Sequence, residues 1–360
     1  MRLALIIAVL LTLVAAPARA TDPAYIVIDV GRGVVLNHHD ANQLWPPASI
    51  TKLMTAYLTF KAMQAGQLRP TSPVVVTANA VAEPPSKMGY RSGTIVTVDN
   101  ALKMLIVRSA NDIAVALGET VAGSEANFVA MMNQEARRLG MNATRFANPN
   151  GLPASGQVTT ARDLAVLGRA VWMDFPQYRE YFRISAIRAG RKILRSHNTL
   201  LERYRGTNGM KTGFICASGF NVVATATRRG RTLMVVVLGE TSAADRAETA
   251  AGLLNGGFRG LLSGVIGQKL ATFQTQPAPG SAVNLRKEIC ETKRARKAKL
   301  GRSALDPKFV LMEPVRVFTG KADPLPPKGQ AGRPAVNIPL PRLRPPYPDS
   351  AALSNGITVQ

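Results

Sequence analysis

The chain is poor in the residues that build metal centres and disulfide frameworks. Of its 360 residues only two are cysteine, Cys216 and Cys290, and three are histidine, His38, His39 and His197. Two cysteines cannot make a disulfide scaffold. They either pair, as an oxidising compartment allows, or stay as two partly buried thiols. No histidine stands in a HExxH or CxxC setting, so neither a zinc site nor any other cofactor is expected. Acidic residues are scarce as well: 22 Asp and Glu face 45 Lys and Arg, a net charge of +23. A surface this basic seeks polyanions. Long apolar runs are also missing. Beyond the N-terminal region no stretch reaches the roughly 18 unbroken apolar residues that a membrane-spanning helix needs.

What is present begins with a leader. Arg2 gives a positive start, residues 3–16 are almost wholly apolar, and Ala18-Arg19-Ala20 is a small-x-small cleavage signal. Residues 1–20 therefore read as a secretory signal peptide, with a mature chain from Thr21. Cleavage removes Arg2 and Arg19 and leaves a net charge of +21. For an exported protein the polyanions within reach are acidic envelope polymers and anionic lipid headgroups; nucleic acid is excluded by compartment.

Residues 21–270 carry the periodicity of a folded domain. Strands are expected at Tyr25–Val30 and Val34–Leu36 around the turn Gly31-Arg32-Gly33. Pro46-Pro47 breaks the chain, and Ser49–Met63 follows as a helix apolar on nearly every side, which marks it as buried. Helical periodicity returns over Asn100–Arg138, split near Gly118–Ser124, and again from Thr159 to Trp172. Three strands then follow at 209–217, 219–227 and 231–239, and a helix over 243–254. Strands at both ends of the sequence bracket a helical middle. That order predicts an α+β fold: one antiparallel sheet built from both ends, covered by helices, with an inserted helical lobe and a cleft between sheet and lobe. Residues 271–360 differ in character. Residues 277–360 hold 13 of the 24 prolines, and residues 286–360 carry 15 basic and 6 acidic side chains, a net of +9. This stretch reads as a basic, Pro-rich tail, largely disordered or extended, suited to binding acidic polymer or anionic lipid.

Three short motifs stand in order along the domain. Ser49-Ile50-Thr51-Lys52 falls where the proline-broken loop becomes the buried helix. A serine there lies near unpaired N–H groups and the positive end of the helix dipole, which favour developing negative charge. Lys52, three residues on, shares its face. Buried beside a second cation, it would lose affinity for its proton and could take the one on Ser49. Ser109-Ala110-Asn111 lies 60 residues from Ser49 at the junction of two helical pieces. A hydroxyl there can relay a proton, and an amide can hold a substrate backbone. A second match, Ser196-His197-Asn198, is too close to the third motif to face it across a cleft, so Ser109 is preferred. Lys211-Thr212-Gly213 sits on a strand. Its glycine permits close backbone approach, its lysine is the second cation, and its threonine hydroxyl can bond a terminal carboxylate. A substrate peptide could add alongside as a further strand.

Taken together the motifs resemble those of the penicillin-recognising serine enzymes, specifically the D-alanyl-D-alanine carboxypeptidases among the low-molecular-mass penicillin-binding proteins. The likeness runs from Tyr25 to about Phe258. It includes Pro47–Thr55, Ser109–Asp112, Asn148-Pro149-Asn150-Gly151-Leu152, Asn198-Thr199-Leu200-Leu201 and Gly219-Phe220-Asn221. It implies a β-lactamase/transpeptidase-like fold and removal of the terminal D-alanine from the pentapeptide stem of peptidoglycan, with β-lactams as covalent inhibitors. It also implies a place in the periplasm or at the outer face of the bacterial inner membrane. The roles it implies are Ser49 as the acylated nucleophile, Lys52 as general base, and Ser109 and Lys211 as aids to proton transfer. Asn111 would hold substrate, and the backbone N–H groups of Ser49 and Phe214 would form an oxyanion hole beside Gly213. Thr212 and Arg246 would bind the free carboxylate. Two residues depart from the pattern: relatives often carry histidine where this chain has Phe214, and arginine where it has His197. The family's usual amphipathic C-terminal helix is replaced by the basic tail. A class A β-lactamase would need a Glu-x-x-Leu-Asn segment between the second and third motifs to drive water onto the acyl-enzyme, and none stands between Asn111 and Lys211. A catalytically silent wall-binding protein would have no use for an intact Ser49 and Lys52.

Overall fold

The computed structural model describes residues 22–260, 267–291, 303–306 and 311–320; the expected leader, 1–20, lies outside them. In chain order the elements are β1 (Ala24–Asp29), β2 (Val34–His39), α1 (Lys52–Gln64), β3 (Pro73–Val75), α2 (Ala78–Ala82), β4 (Ile95–Thr97), α3 (Val98–Lys103), α4 (Asn111–Ala122), α5 (Glu125–Arg138) and α6 (Ala161–Asp174). Then come β5 (Ala186–Ala189), β6 (Lys192–Arg195), α7 (Leu200–Arg203), β7 (Thr207–Ile215), β8 (Gly219–Arg228), β9 (Arg231–Glu240), α8 (Ala243–Phe258) and β10 (Val315–Val317).

Five strands form one antiparallel sheet in the order β2-β1-β9-β8-β7. The N-terminal hairpin thus joins the C-terminal meander, as the bracketed order of strands predicts. Strand β9 shows why its sequence runs apolar without alternation. Leu233, Val235 and Val237 pack with Ala247, Ala250, Ala251 and Leu254 of α8 on one face. Met234, Val236 and Leu238 pack toward the helical lobe on the other. Both faces are covered, so every position from Leu233 to Glu240 is buried. Helix α1 is enclosed in the same way, with 11 of its 13 residues buried. Strand β7 is the sheet's open edge next to the lobe, the place where an added peptide strand would pair.

Within the expected tail, the described segments pack on the domain that precedes it. Ala278 N–H donates to Asn42 O at 2.9 Å, Val283 N–H to Leu44 O at 3.0 Å, and Leu285 N–H to Ala217 O at 2.9 Å. Asp306 N–H donates to Arg203 O at 2.8 Å. β10 pairs in parallel with β5, and Gly320 N–H then donates to Ile95 O at 2.7 Å. Cys290 is disulfide-bonded to Cys216, just past β7. The alternative left open by the sequence is thereby decided in favour of pairing. The bond closes a segment of 74 residues, and on the chain-entropy account such a crosslink contributes about 4 kcal/mol. Cys216→Ser with Cys290→Ser, or a reductant, should lower the urea midpoint accordingly; an unchanged midpoint would mean that the strap contributes nothing. Among the described residues no helix is long and apolar enough to cross a membrane.

Candidate active site

The chain turns from loop to helix in an unusual way at the first motif. Ala48 has a left-handed backbone (φ 48°) and opens a short 3₁₀ turn, Ala48–Thr51, that runs into α1. Gly151, itself at φ +84°, presses against it. A Cβ on Gly151 would fall 1.8 Å from the Ala48 carbonyl oxygen, a position only glycine allows. The Asn148–Leu152 loop therefore clamps the nucleophile's turn. The Pro149 carbonyl accepts from Thr55 Oγ1 at 2.6 Å, and the Asn150 carbonyl from Lys52 Nζ at 2.6 Å.

Lys52 lies in the first turn of α1 with no solvent exposure. Its Nζ has three partners: Ser49 Oγ at 3.0 Å, Asn111 Oδ1 at 2.7 Å and the Asn150 carbonyl at 2.6 Å. Burial, then the charge of Lys211, hold its pKa well below the usual lysine value, and Glu83 and Asp112 oppose this only in part. A neutral amine suits these three partners. Its two N–H bonds go to the amide and carbonyl oxygens, which can only accept, and its lone pair faces the hydroxyl of Ser49.

The second motif sits where the lobe's helices are interrupted. A π-helical turn, Met104–Arg108, ends at Ser109, whose φ of 60° is left-handed. Strain in a non-glycine residue marks functional positions. It directs Ser109 Oγ to Lys211 Nζ at 2.8 Å. Asn111 opens α4; besides meeting Lys52, its Nδ2 donates to the Pro84 carbonyl at 2.8 Å. Its side-chain oxygen is thus spent on positioning Lys52, leaving only the second Nδ2 hydrogen for a substrate.

Strand β7 supplies the third wall. Lys211 is buried and also donates to the Thr212 carbonyl at 2.8 Å. Burial first, then Arg246, bring its pKa down to about 7. The space a Cβ would take on Gly213 lies 3.1 Å from the backbone nitrogen of Ser49, so glycine lets the strand approach the nucleophile's own N–H. Thr212, one step along, is buried, and buried Arg246 stands in the first turn of α8. Arg246 Nη2 donates to the His197 carbonyl at 2.7 Å. His197 itself is held below its usual pKa by burial and by Lys211, Arg108 and Arg246, so it is neutral at pH 7. Phe214 is exposed and stacks on Phe220 at 4.3 Å. The structure therefore gathers Ser49, Lys52, Ser109, Asn111, Lys211 and Gly213 around one cleft, with Thr212, Phe214 and Arg246 along its sheet side. The sequence reading had no role for Arg108 or for the Asn150 carbonyl, although the Asn-Pro-Asn-Gly run was visible as part of the likeness.

Buried Lys211 carries a pH signature. Unfolded, it keeps its proton to about pH 10.5; folded, only to about 7. Between these values the unfolded chain binds the extra proton, so stability rises with pH across the window and the burial penalty is greatest below it. The thermal midpoint of the wild type, relative to Lys211→Met, should climb from pH 7 to pH 10. A pH-independent difference would show that this amine is not desolvated.

A family profile described as D-alanyl-D-alanine carboxypeptidase, peptidase S11, matches residues 12–242. The chain belongs to that family. D-alanyl-D-alanine carboxypeptidase DacC of Escherichia coli (strain K12) is 35% identical over 260 residues, 70% of this chain and 65% of that protein. The chain thus spans slightly less than two thirds of this S11 relative's length. Among solved structures, penicillin binding protein 6B from Escherichia coli superposes with a TM-score of 0.63 at 34% identity, over 66% of this chain and 77% of that one. Penicillin-Binding Protein D2 from Listeria monocytogenes, in its cefotaxime-bound form, gives 0.60 at 29% identity, over 65% of this chain and 96% of that one. The fold is accordingly the transpeptidase/β-lactamase-like α+β fold of these enzymes.

Proposed function

We propose that this chain is an exported serine DD-carboxypeptidase that removes the terminal D-alanine from the pentapeptide stem of peptidoglycan. The observation that carries the reading is the amine of Lys52, wholly buried and 3.0 Å from Ser49 Oγ. Lys52 takes the Ser49 proton as Oγ attacks the carbonyl carbon of the penultimate D-alanine. The backbone N–H groups of Ser49 and Phe214 hold the oxyanion. As the tetrahedral intermediate collapses, the C–N bond breaks, and Ser109, backed by Lys211, delivers a proton to the departing D-alanine amine. Water then cleaves the ester and restores Ser49. Thr212 and Arg246 hold the substrate's free C-terminal carboxylate, which restricts cleavage to the last residue.

β-Lactams acylate the same oxygen; relatives have been solved in cefotaxime-bound and ampicillin-bound forms. With no Glu-x-x-Leu-Asn segment to activate water, the adduct is long-lived, and the protein is a target of these drugs rather than a β-lactamase. Residues 21–270 are the catalytic unit. Residues 271–360 are a basic extension whose distal part binds acidic envelope polymer or anionic lipid; a disulfide at Cys216–Cys290 suits export to the periplasm. The test is mass spectrometry of pentapeptide muropeptide incubated with the mature protein. Loss of one alanine residue is expected, and a pentapeptide left intact would overturn the assignment.

A further inference from the structure

The charges that act on His197 are all positive: Lys211, Arg108 and Arg246. They come from three elements. Lys211 is on β7, Arg246 opens α8, and Arg108 ends the π-helical turn directly before Ser109, against which the β5–β6 hairpin packs. Each of the other two cations is tethered. Lys211 donates to Ser109 and to the Thr212 carbonyl, and Arg246 donates to the His197 carbonyl. Arg108 is different: its Nε is buried and has no hydrogen-bond partner. Asp112, the acid four residues on, is occupied elsewhere. Both oxygens of that carboxylate are taken by backbone N–H groups, of Met88 and Ile113 at Oδ1 and of Gly89 at Oδ2. A buried donor left unpaired in a concentration of positive charge costs free energy unless an anion completes it.

The position has a further meaning in this chain. His197, on which Arg108 acts, carries no charge at neutral pH. We propose that Arg108 is a carboxylate-binding residue of this site, its guanidinium gripping the substrate's free C-terminal carboxylate from the lobe side while Thr212 and Arg246 hold it from the sheet side. Arg108 thereby supplies a positive charge that His197 does not. A planar guanidinium with parallel N–H bonds is suited to a carboxylate in a way that imidazole is not. The inference rests on the carboxypeptidase reading for the identity of the anion.

Two measurements test it, one of which needs no turnover. In the Ser49→Ala background, affinity for N-acetyl-D-Ala-D-Ala is measured by calorimetry with and without Arg108→Gln. A loss of about tenfold or more is expected, the scale of a lost charge-assisted hydrogen bond. The C-terminal amide of the same dipeptide should bind both proteins equally weakly. In the active enzyme, Arg108→Gln should raise KM for the pentapeptide by about tenfold with a smaller change in kcat. Arg108→Lys should fall between the two, and His197→Arg should restore KM in the Arg108→Gln protein. A structural role for Arg108 would not be rescued from position 197. Unchanged affinity and KM in Arg108→Gln, or an equal loss for acid and amide, would overturn the proposal while the carboxypeptidase assignment stood. A wild type that binds the dipeptide acid through Arg108 but releases no D-alanine would overturn the assignment and keep the anion site.

Discussion

Ser49→Ala releases no D-alanine from pentapeptide muropeptide: the expected fall is at least about 10⁴-fold, the scale seen when a nucleophile is removed from a serine acyl-transfer site. The variant should also gain no mass on incubation with benzylpenicillin, whereas the wild type gains one penicillin per chain. The loss belongs to chemistry and not to folding. The change deletes one hydroxyl whose contact is the 3.0 Å hydrogen bond with Lys52, worth about 1 kcal/mol. Asn111 and the Asn150 carbonyl still hold Lys52 in place. The thermal midpoint should therefore shift by only a few degrees, and the substrate should still bind through β7 and the cations beside it. An alanine variant that keeps its activity or its penicillin adduct would refute Ser49 as the nucleophile.

Lys52→Arg is expected to be nearly as inactive as Lys52→Met, with kcat reduced by about 10² to 10⁴-fold in both. The equivalence is the informative part. Arginine keeps the positive charge and has donors to spare, so it would serve if position 52 only had to hold Asn111 and Asn150 or attract an anion. It cannot give up its proton in a protein, so it cannot accept one from a serine. Burial and Lys211 hold the pKa of Lys52 well below the usual range. Its titration therefore belongs to the acid limb of the kcat/KM profile, where protonation removes the base. In Lys52→Met that limb should be flat in the residual rate. Steady-state kinetics from pH 5 to pH 10 on the three proteins decide the matter. Substantial activity in Lys52→Arg would exclude lysine as the base.

Much of the architecture was legible because it rests on short-range patterns. The buried run Thr232–Leu238, the helix after Pro46-Pro47 and the two-piece helical stretch around Gly118–Ser124 correspond to β9, α1 and the α4–α5 pair. The elements that escaped notice are short or weakly patterned. The 3₁₀ segment Pro176–Arg183 buries Tyr178, Tyr181 and Phe182 against Phe60, and β10 exists through pairing with a strand more than a hundred residues earlier. Tertiary partners outweigh local preference in such pieces. Proline content and charge likewise do not report that the tail's described segments hold to the domain by backbone hydrogen bonds, one disulfide and the buried side chains of Phe273, Leu285, Leu305 and Val317.

At the site, three ordered motifs were enough to name Ser49, Lys52, Ser109 and Lys211, and with the stretches around them they carried the resemblance that the family profile bears out. What they could not determine is the protonation that makes them work. Lys52 meets Asn111 across 59 positions, and Lys211 meets Ser109 across 102. Only folding removes water from these amines and brings each within the field of another cation. The same holds for Arg108, an ordinary basic residue in the sequence. The fold leaves its Nε buried and unpaired beside a neutral histidine, because charge and desolvation depend on distances through space, whereas a motif records only order along a chain.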